Sequence, residues 1–153
     1  MAKNKLQVKE ELLQECLKTQ DELVATLKTA IKNVQDAANE ERGGSEENFD
    51  SFREQCQHDR DMYARQLDQA TSGLQILKKI DAKTKADQAK LGSVVVTDKL
   101  TVFLAWNMGK INLGKNTCFA ISTQAPLFNA IAGKKKGETF SFRGETHKVL
   151  EVY

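Results

Sequence analysis

Just after a pair of glycines, the stretch Gly43-Gly44-Ser45-Glu46-Glu47-Asn48-Phe49-Asp50 places three carboxylates within five residues. Carboxylate oxygens are the ligands that hard divalent cations such as Mg²⁺ prefer. Glu46, Glu47 and Asp50 are therefore candidate metal ligands. Acids at the start of a helix also favour its positive end without any metal, and the residues alone leave both uses open.

Other chemistry-bearing residues point to less. Cys16, Cys56 and Cys118 are odd in number, widely spaced and without a C-x-x-C pair, so neither a disulfide framework nor a zinc site is expected. Cys56 and His58 lie two apart, which on a helix sends them to different faces. His147, beside Lys148 in a strand, reads as solvated, and Lys134-Lys135-Lys136 as a soluble turn. No Ser/His/Asp or Cys/His arrangement stands out, and the phosphate-loop pattern is absent.

The acids need an element to present them. Core-type positions at Leu6, Glu10, Leu13, Leu17, Gln20, Val24, Leu27, Ile31, Val34, Ala38 and Glu41 follow steps of three and four, a heptad seam. The seam resumes at Phe49, Phe52, Cys56, Asp59, Tyr63, Leu67, Ala70, Leu74 and Leu77, with a stutter around Tyr63. Gly43-Gly44 allows a tight reversal, and Ser45 suits the N-cap of a second helix. An antiparallel hairpin with an acidic tip near residues 43–50 is predicted, its first helix roughly 50 Å long at about 1.5 Å per residue. It closes within one chain, so a monomer is expected.

Beyond a polar connector the period becomes that of strands: Ser93–Thr97, Leu100–Trp106, Thr117–Ser122, and a last hairpin, Thr139–Arg143 with Thr146–Tyr153. Within that hairpin Phe140, Phe142, Val149 and Leu150 are assigned to a core. Asn107–Lys110 and Leu113–Asn116 read as turns, and Pro126 to Gly133 as a short helix. The fold class is α+β, with a coiled-coil domain over 1–82, a linker over 83–91 and a small domain over 92–153.

The chain has 153 residues, 40% hydrophobic and 29% charged, with a net charge of +2. That is ordinary for a soluble protein. So small a net charge does not support stable direct nucleic-acid binding, which normally shows as a clustered basic surface. Acids dominate around the glycines, and bases outnumber acids from Lys90 onward. With no signal-like or membrane-spanning run, a cytoplasmic, unanchored protein is expected.

The most specific run is Ala120–Phe142, AISTQAPLFNAIAGKKKGETFSF, which resembles the C-terminal domain of bacterial Gre transcript-cleavage factors. The match lies in Ile121, Ser122, Pro126, Leu127, Ala130, Ile131, Gly133, Lys134, Gly137 and Glu138. It extends to the hairpin in the same domain order. The resemblance implies an FKBP-like second domain and a partner, RNA polymerase, whose secondary channel receives the hairpin. It also implies that tip carboxylates help the polymerase hold a second Mg²⁺, so the chain would be no enzyme alone and would have no intrinsic cofactor. Docking is implied for Ser122, Ala125, Pro126, Leu127 and Lys134, with Ala125 where the family commonly has Ser.

At the tip the sequence departs from the family. Its pattern resembles Gly-Asp-Leu-x-Glu-Asn, whereas this chain reads Gly43-Gly44-Ser45-Glu46-Glu47-Asn48. Glu47 matches, the Asp position holds Gly44, and Glu46 or Asp50 is left as a substitute. Weak cleavage, or occupation of the channel without cleavage, follows as an expectation. Two further classes stay open: a coiled-coil adaptor that grips another protein, and a prolyl isomerase. The latter is disfavoured because the core must consume several of the small domain's aromatics.

Overall fold

The computed structural model describes residues 4–40, 46–114 and 116–153, with the side chains at 40, 46–49 and 116 outside the description. The predicted glycine reversal at 43–44 and the Ser45 cap therefore lie outside the described residues. The α+β class holds: two long helices precede a six-stranded mixed sheet.

Helix α1 (Lys5–Glu40) contains neither glycine nor proline and is rich in Ala, Leu, Lys, Glu and Gln, the good helix formers. Its start is fixed by a reciprocal cap. The Asn4 side-chain oxygen accepts from the Leu6 N–H at 2.9 Å, and the Gln7 amide oxygen accepts from the Asn4 N–H at 3.1 Å. Helix α2 (Glu46–Lys78) follows.

The chain forms two compact units, Lys18–Leu74 and Met1–Leu17 with Gln75–Tyr153. This division falls elsewhere than the boundaries at 82 and 92 read from the periodicity. In the first unit α1 and α2 pair along the predicted seam: Gln20, Val24, Leu27, Cys56, Ala70 and Leu74 are buried. Each well-buried Val or Leu contributes roughly 1.5–3 kcal/mol. Phe52 departs from the seam and is exposed.

In the second unit the strands are β1 (Val94–Thr97), β2 (Thr101–Ala105), β3 (Gly109–Leu113), β4 (Asn116–Ser122), β5 (Thr139–Phe142) and β6 (Glu145–Val152), with helix α3 (Pro126–Ile131) after β4. Their order is β3-β4-β2-β1-β6-β5. Only β2 and β4 run parallel, because β3 makes an excursion to the edge that returns β4 beside β2. Side chains alternate between two cores. Val94, Phe103, Ala105, Ile111 and Ala120 meet Leu12, Leu13, Cys16 and Leu77 of the helices, while Val95, Val102, Leu104 and Val149 are covered by Ile131, Ala86 and Ala89.

Several expectations change here. Strand β3 occupies part of what reads as turns, because an edge strand with one buried residue, Ile111, leaves little alternation to detect. Glu10 is exposed while Lys9, Leu12 and Cys16 are buried, since this end of α1 also faces the sheet and its buried stripe is wider than a heptad seam. Residues 83–91 are packed rather than free: Ala86 and Ala89 are buried, Gln88 bridges Lys135, and the Ala89 N–H donates to the Lys134 carbonyl at 2.8 Å. Leu150 points outward, as it must beside the inward Val149. His147, expected in solvent, is 3% exposed and stacks on its cross-strand partner Phe140 at 4.9 Å. Its Nδ1 has no hydrogen-bond partner.

Candidate functional site

Glu46 and Glu47 occupy the first turn of α2, and their side chains lie outside the described residues. Asp50, one turn on, is exposed. It lines an open groove of about 1000 Å³ between Val34–Asn39 of α1 and the 50–60 segment of α2. Asp36, Glu54, Arg53 and Arg60 line it as well, so acids and bases alternate along its walls. Cys56 lies buried at its inner side and His58 is exposed, pointing apart as their spacing requires. Among the described residues no group of three His, Cys, Asp or Glu side chains converges on a cation position. The described part of this unit thus offers individual carboxylates, not a full coordination sphere.

The second cluster is built by the strand-to-helix turn of the sheet unit. Ser122 ends β4, and its hydroxyl accepts from the Gln124 N–H at 3.2 Å while its carbonyl accepts from the Ala125 N–H at 3.1 Å. Ala125 is the N-cap of α3 in extended conformation, with φ −70° and ψ 145°, and Pro126 is the first helical residue. Proline is favoured there because its missing N–H is not needed in the first turn. Pro126 is exposed, and Leu127 packs partly against the sheet. The turn thus brings Ser122, Ala125, Pro126 and Leu127 together. Lys134 lies beyond the other end of α3, where Gly133 adopts φ 76°.

Ala125 carries a local cost. An N-cap side chain normally accepts a hydrogen bond from the first-turn N–H groups, and alanine makes none here. A serine at this position would have a structural use independent of any partner.

Two polar features escape the sequence reading. Lys9 is 2% exposed, and its ammonium donates to the Thr84 carbonyl at 2.8 Å. Burial lowers its pKa, an effect that nearby Asp81 opposes. Asp81 organises the turn it belongs to, accepting from the Thr84 hydroxyl at 2.6 Å and the Lys83 N–H at 2.9 Å. Those bonds hold its carboxyl below the usual range. A lysine one position before the seam residue Glu10 gives no signal of its burial. Cys16 and Cys118, in one core, have thiols pushed up to about 12 by burial. Such thiols are inert at neutral pH.

No family model matches this chain, and no curated protein matches it. Among solved structures it is similar to the GreA factor homolog 1 (Gfh1) protein of Thermus thermophilus, with 17% identity over 94% of this chain and 93% of that one and a TM-score of 0.34. A second structure, of the transcription factor Gfh1, is 20% identical over 94% of this chain and 92% of the other, again with a TM-score of 0.34.

Proposed function

We propose that this chain is a Gre-type regulator of transcription elongation that docks on RNA polymerase and inserts the tip of its helical hairpin into the secondary channel. The observation that carries the reading is where the residues of the Gre-like run fall. Pro126 opens α3, Gly133 follows it with φ 76°, and Gly137, with φ 91°, turns the chain toward β5. Residues quoted for a resemblance thus occupy positions whose backbone demands them. A single-chain hairpin whose second helix begins with Glu46 and Glu47 supports the same reading.

In this reading the turn Ser122–Leu127 and Lys134 meet the polymerase, and Glu47 presents a carboxylate beside the polymerase's own metal-binding acids. Mg²⁺ would stabilise the attacking and leaving oxygens of the cleaved phosphodiester. This chain's part is to position oxygen donors: Glu47, with Glu46 or Asp50 nearby on the same helix. Gly44, where the family pattern has Asp, favours weak stimulation or simple obstruction of the channel.

A transcript-cleavage assay on backtracked complexes of the cognate polymerase tests the proposal, combined with co-purification. Binding with weak, Mg²⁺-dependent cleavage is expected. Failure to bind the polymerase overturns the reading and favours an adaptor for another protein.

A further inference from the structure

The seam between α1 and α2 is closed along one stretch and open along another. Gln20, Val24, Leu27, Ala70 and Leu74 are buried, whereas Val34 and Ala38, on the same seam of α1, are only half-buried. The groove lies at this opening, with Val34, Ala38 and Cys56 as its apolar floor. Two helices of one chain thus leave part of their shared apolar stripe uncovered, and covering it is favourable.

The α2 wall of the groove is a stripe of Asp50, Arg53, Gln57 and Arg60, at steps of three, four and three. Residues so spaced share one face of a helix. The spacing reads the same in both directions, while the two ends carry opposite charges. A second copy of the stripe laid antiparallel across the first therefore sets Asp50 against Arg60 at each end and Arg53 against Gln57 between them. A parallel arrangement sets every charge against its own kind. Asp50 and Arg60 are exposed, and among the described residues neither makes an ion pair or a hydrogen bond.

We propose that this groove is a self-association surface, on which a second copy of the chain packs its α2 antiparallel to the first about a twofold axis close to Gln55, joined by reciprocal Asp50–Arg60 ion pairs. The charges favour a second copy over other occupants. The walls carry both signs, Asp36, Asp50 and Glu54 with Arg53 and Arg60, so a partner of one sign meets repulsion as well as attraction. A twofold contact brings a patch against itself and needs that patch to be self-complementary, which the palindromic spacing with opposite end charges supplies. Two helix pairs closing over their uncovered seams make a four-helix arrangement, a common solution for apolar stripes. The pairing also engages Asp50, one of the candidate metal ligands, so the dimer is the form in which that carboxylate is withheld. The inference uses this chain alone and stands apart from the polymerase reading.

Sedimentation equilibrium of the full chain tests the proposal. A dimer with Kd on the order of 10⁻⁵ M is expected at about 0.05 M salt, weakening at about 0.5 M salt as its exposed ion pairs are screened. Asp50→Arg and Arg60→Asp each set like charges together at both ends and should weaken the dimer at least about 10-fold. An equimolar mixture of these two variants should associate again as a heterodimer, because each supplies the charge that the other has lost. The double variant Asp50→Arg/Arg60→Asp, with its ends exchanged, should dimerise as the wild type does; circular dichroism confirms that every variant is folded. A wild type that stays monomeric at low salt and at about ten times that Kd overturns the proposal. Single variants that associate undiminished, or a mixture that stays monomeric, equally overturn it.

Discussion

The Gln20 side-chain amide donates to the main-chain carbonyl of Ala70 at 2.9 Å, in the buried seam between α1 and α2. A polar side chain at a seam position fixes which residues stand opposite each other, because any other alignment leaves its amide unpaired. Gln20→Ala should cost about 1–3 kcal/mol in urea unfolding, through a lost buried hydrogen bond and a void. Gln20→Leu fills the space and should fold with near-wild-type stability. It removes the alignment constraint, so sedimentation should reveal a larger share of oligomers than in the wild type. A Gln20→Leu variant with the same sedimentation behaviour as the wild type would mean that another feature sets the register.

The uncapped start of α3 gives a second prediction. Ala125→Ser places a hydroxyl at the N-cap and should raise thermal stability by about 1 kcal/mol. If the docking proposal is right, the same variant binds polymerase at least as well as the wild type, whereas Pro126→Glu abolishes binding and leaves the helical signal intact. A stabilised variant with unchanged affinity would restrict Ser at this position to a structural role.

At the tip, metal affinity depends on how many charged oxygens converge. Gly44→Asp should therefore increase transcript cleavage several-fold, and Glu47→Ala should remove the residual activity without loosening polymerase binding. Thermal melts must accompany the first variant, since a glycine needed at positive φ would make Asp costly there. Wild-type cleavage that survives Glu47→Ala transfers the role to Glu46 or Asp50.

Alkaline stability follows from the buried thiols. Burial pushes Cys16 and Cys118 from 9.0 up to about 12. Between those values the unfolded chain releases protons that the native state keeps, so unfolding free energy should fall as pH rises from about 9 towards 12. Lys9 acts in the opposite sense. Its pKa is lowered by burial below 10.5, so the unfolded chain binds more protons there and this residue adds stability as pH rises towards 10.5. Urea unfolding at pH 8 and pH 10 should show a steeper loss in Lys9→Met and a shallower one in the Cys16→Ala/Cys118→Ala double variant. Equal slopes in all three proteins would contradict this assignment.

The sequence by itself determined what depends on local periodicity and backbone demand. Seam spacing marked Val24, Leu27, Cys56, Ala70 and Leu74 as buried, β-branched and aromatic runs marked five of the strands, and Pro126 and Gly133 bounded α3. These signals are legible because each residue type answers a constraint set by its immediate neighbours. Only the tertiary structure decided features that depend on what comes to lie across from a segment. Lys9 is buried because α1 meets the sheet, His147 because Phe140 stands opposite it, and β3 is a strand because β4 offers it an edge. Likewise a polar, lysine-bearing stretch such as 83–90 reads as a linker until residues 133–136 pair with it. Its alanines Ala86 and Ala89 then enter the core, because burial is set by neighbours distant in sequence.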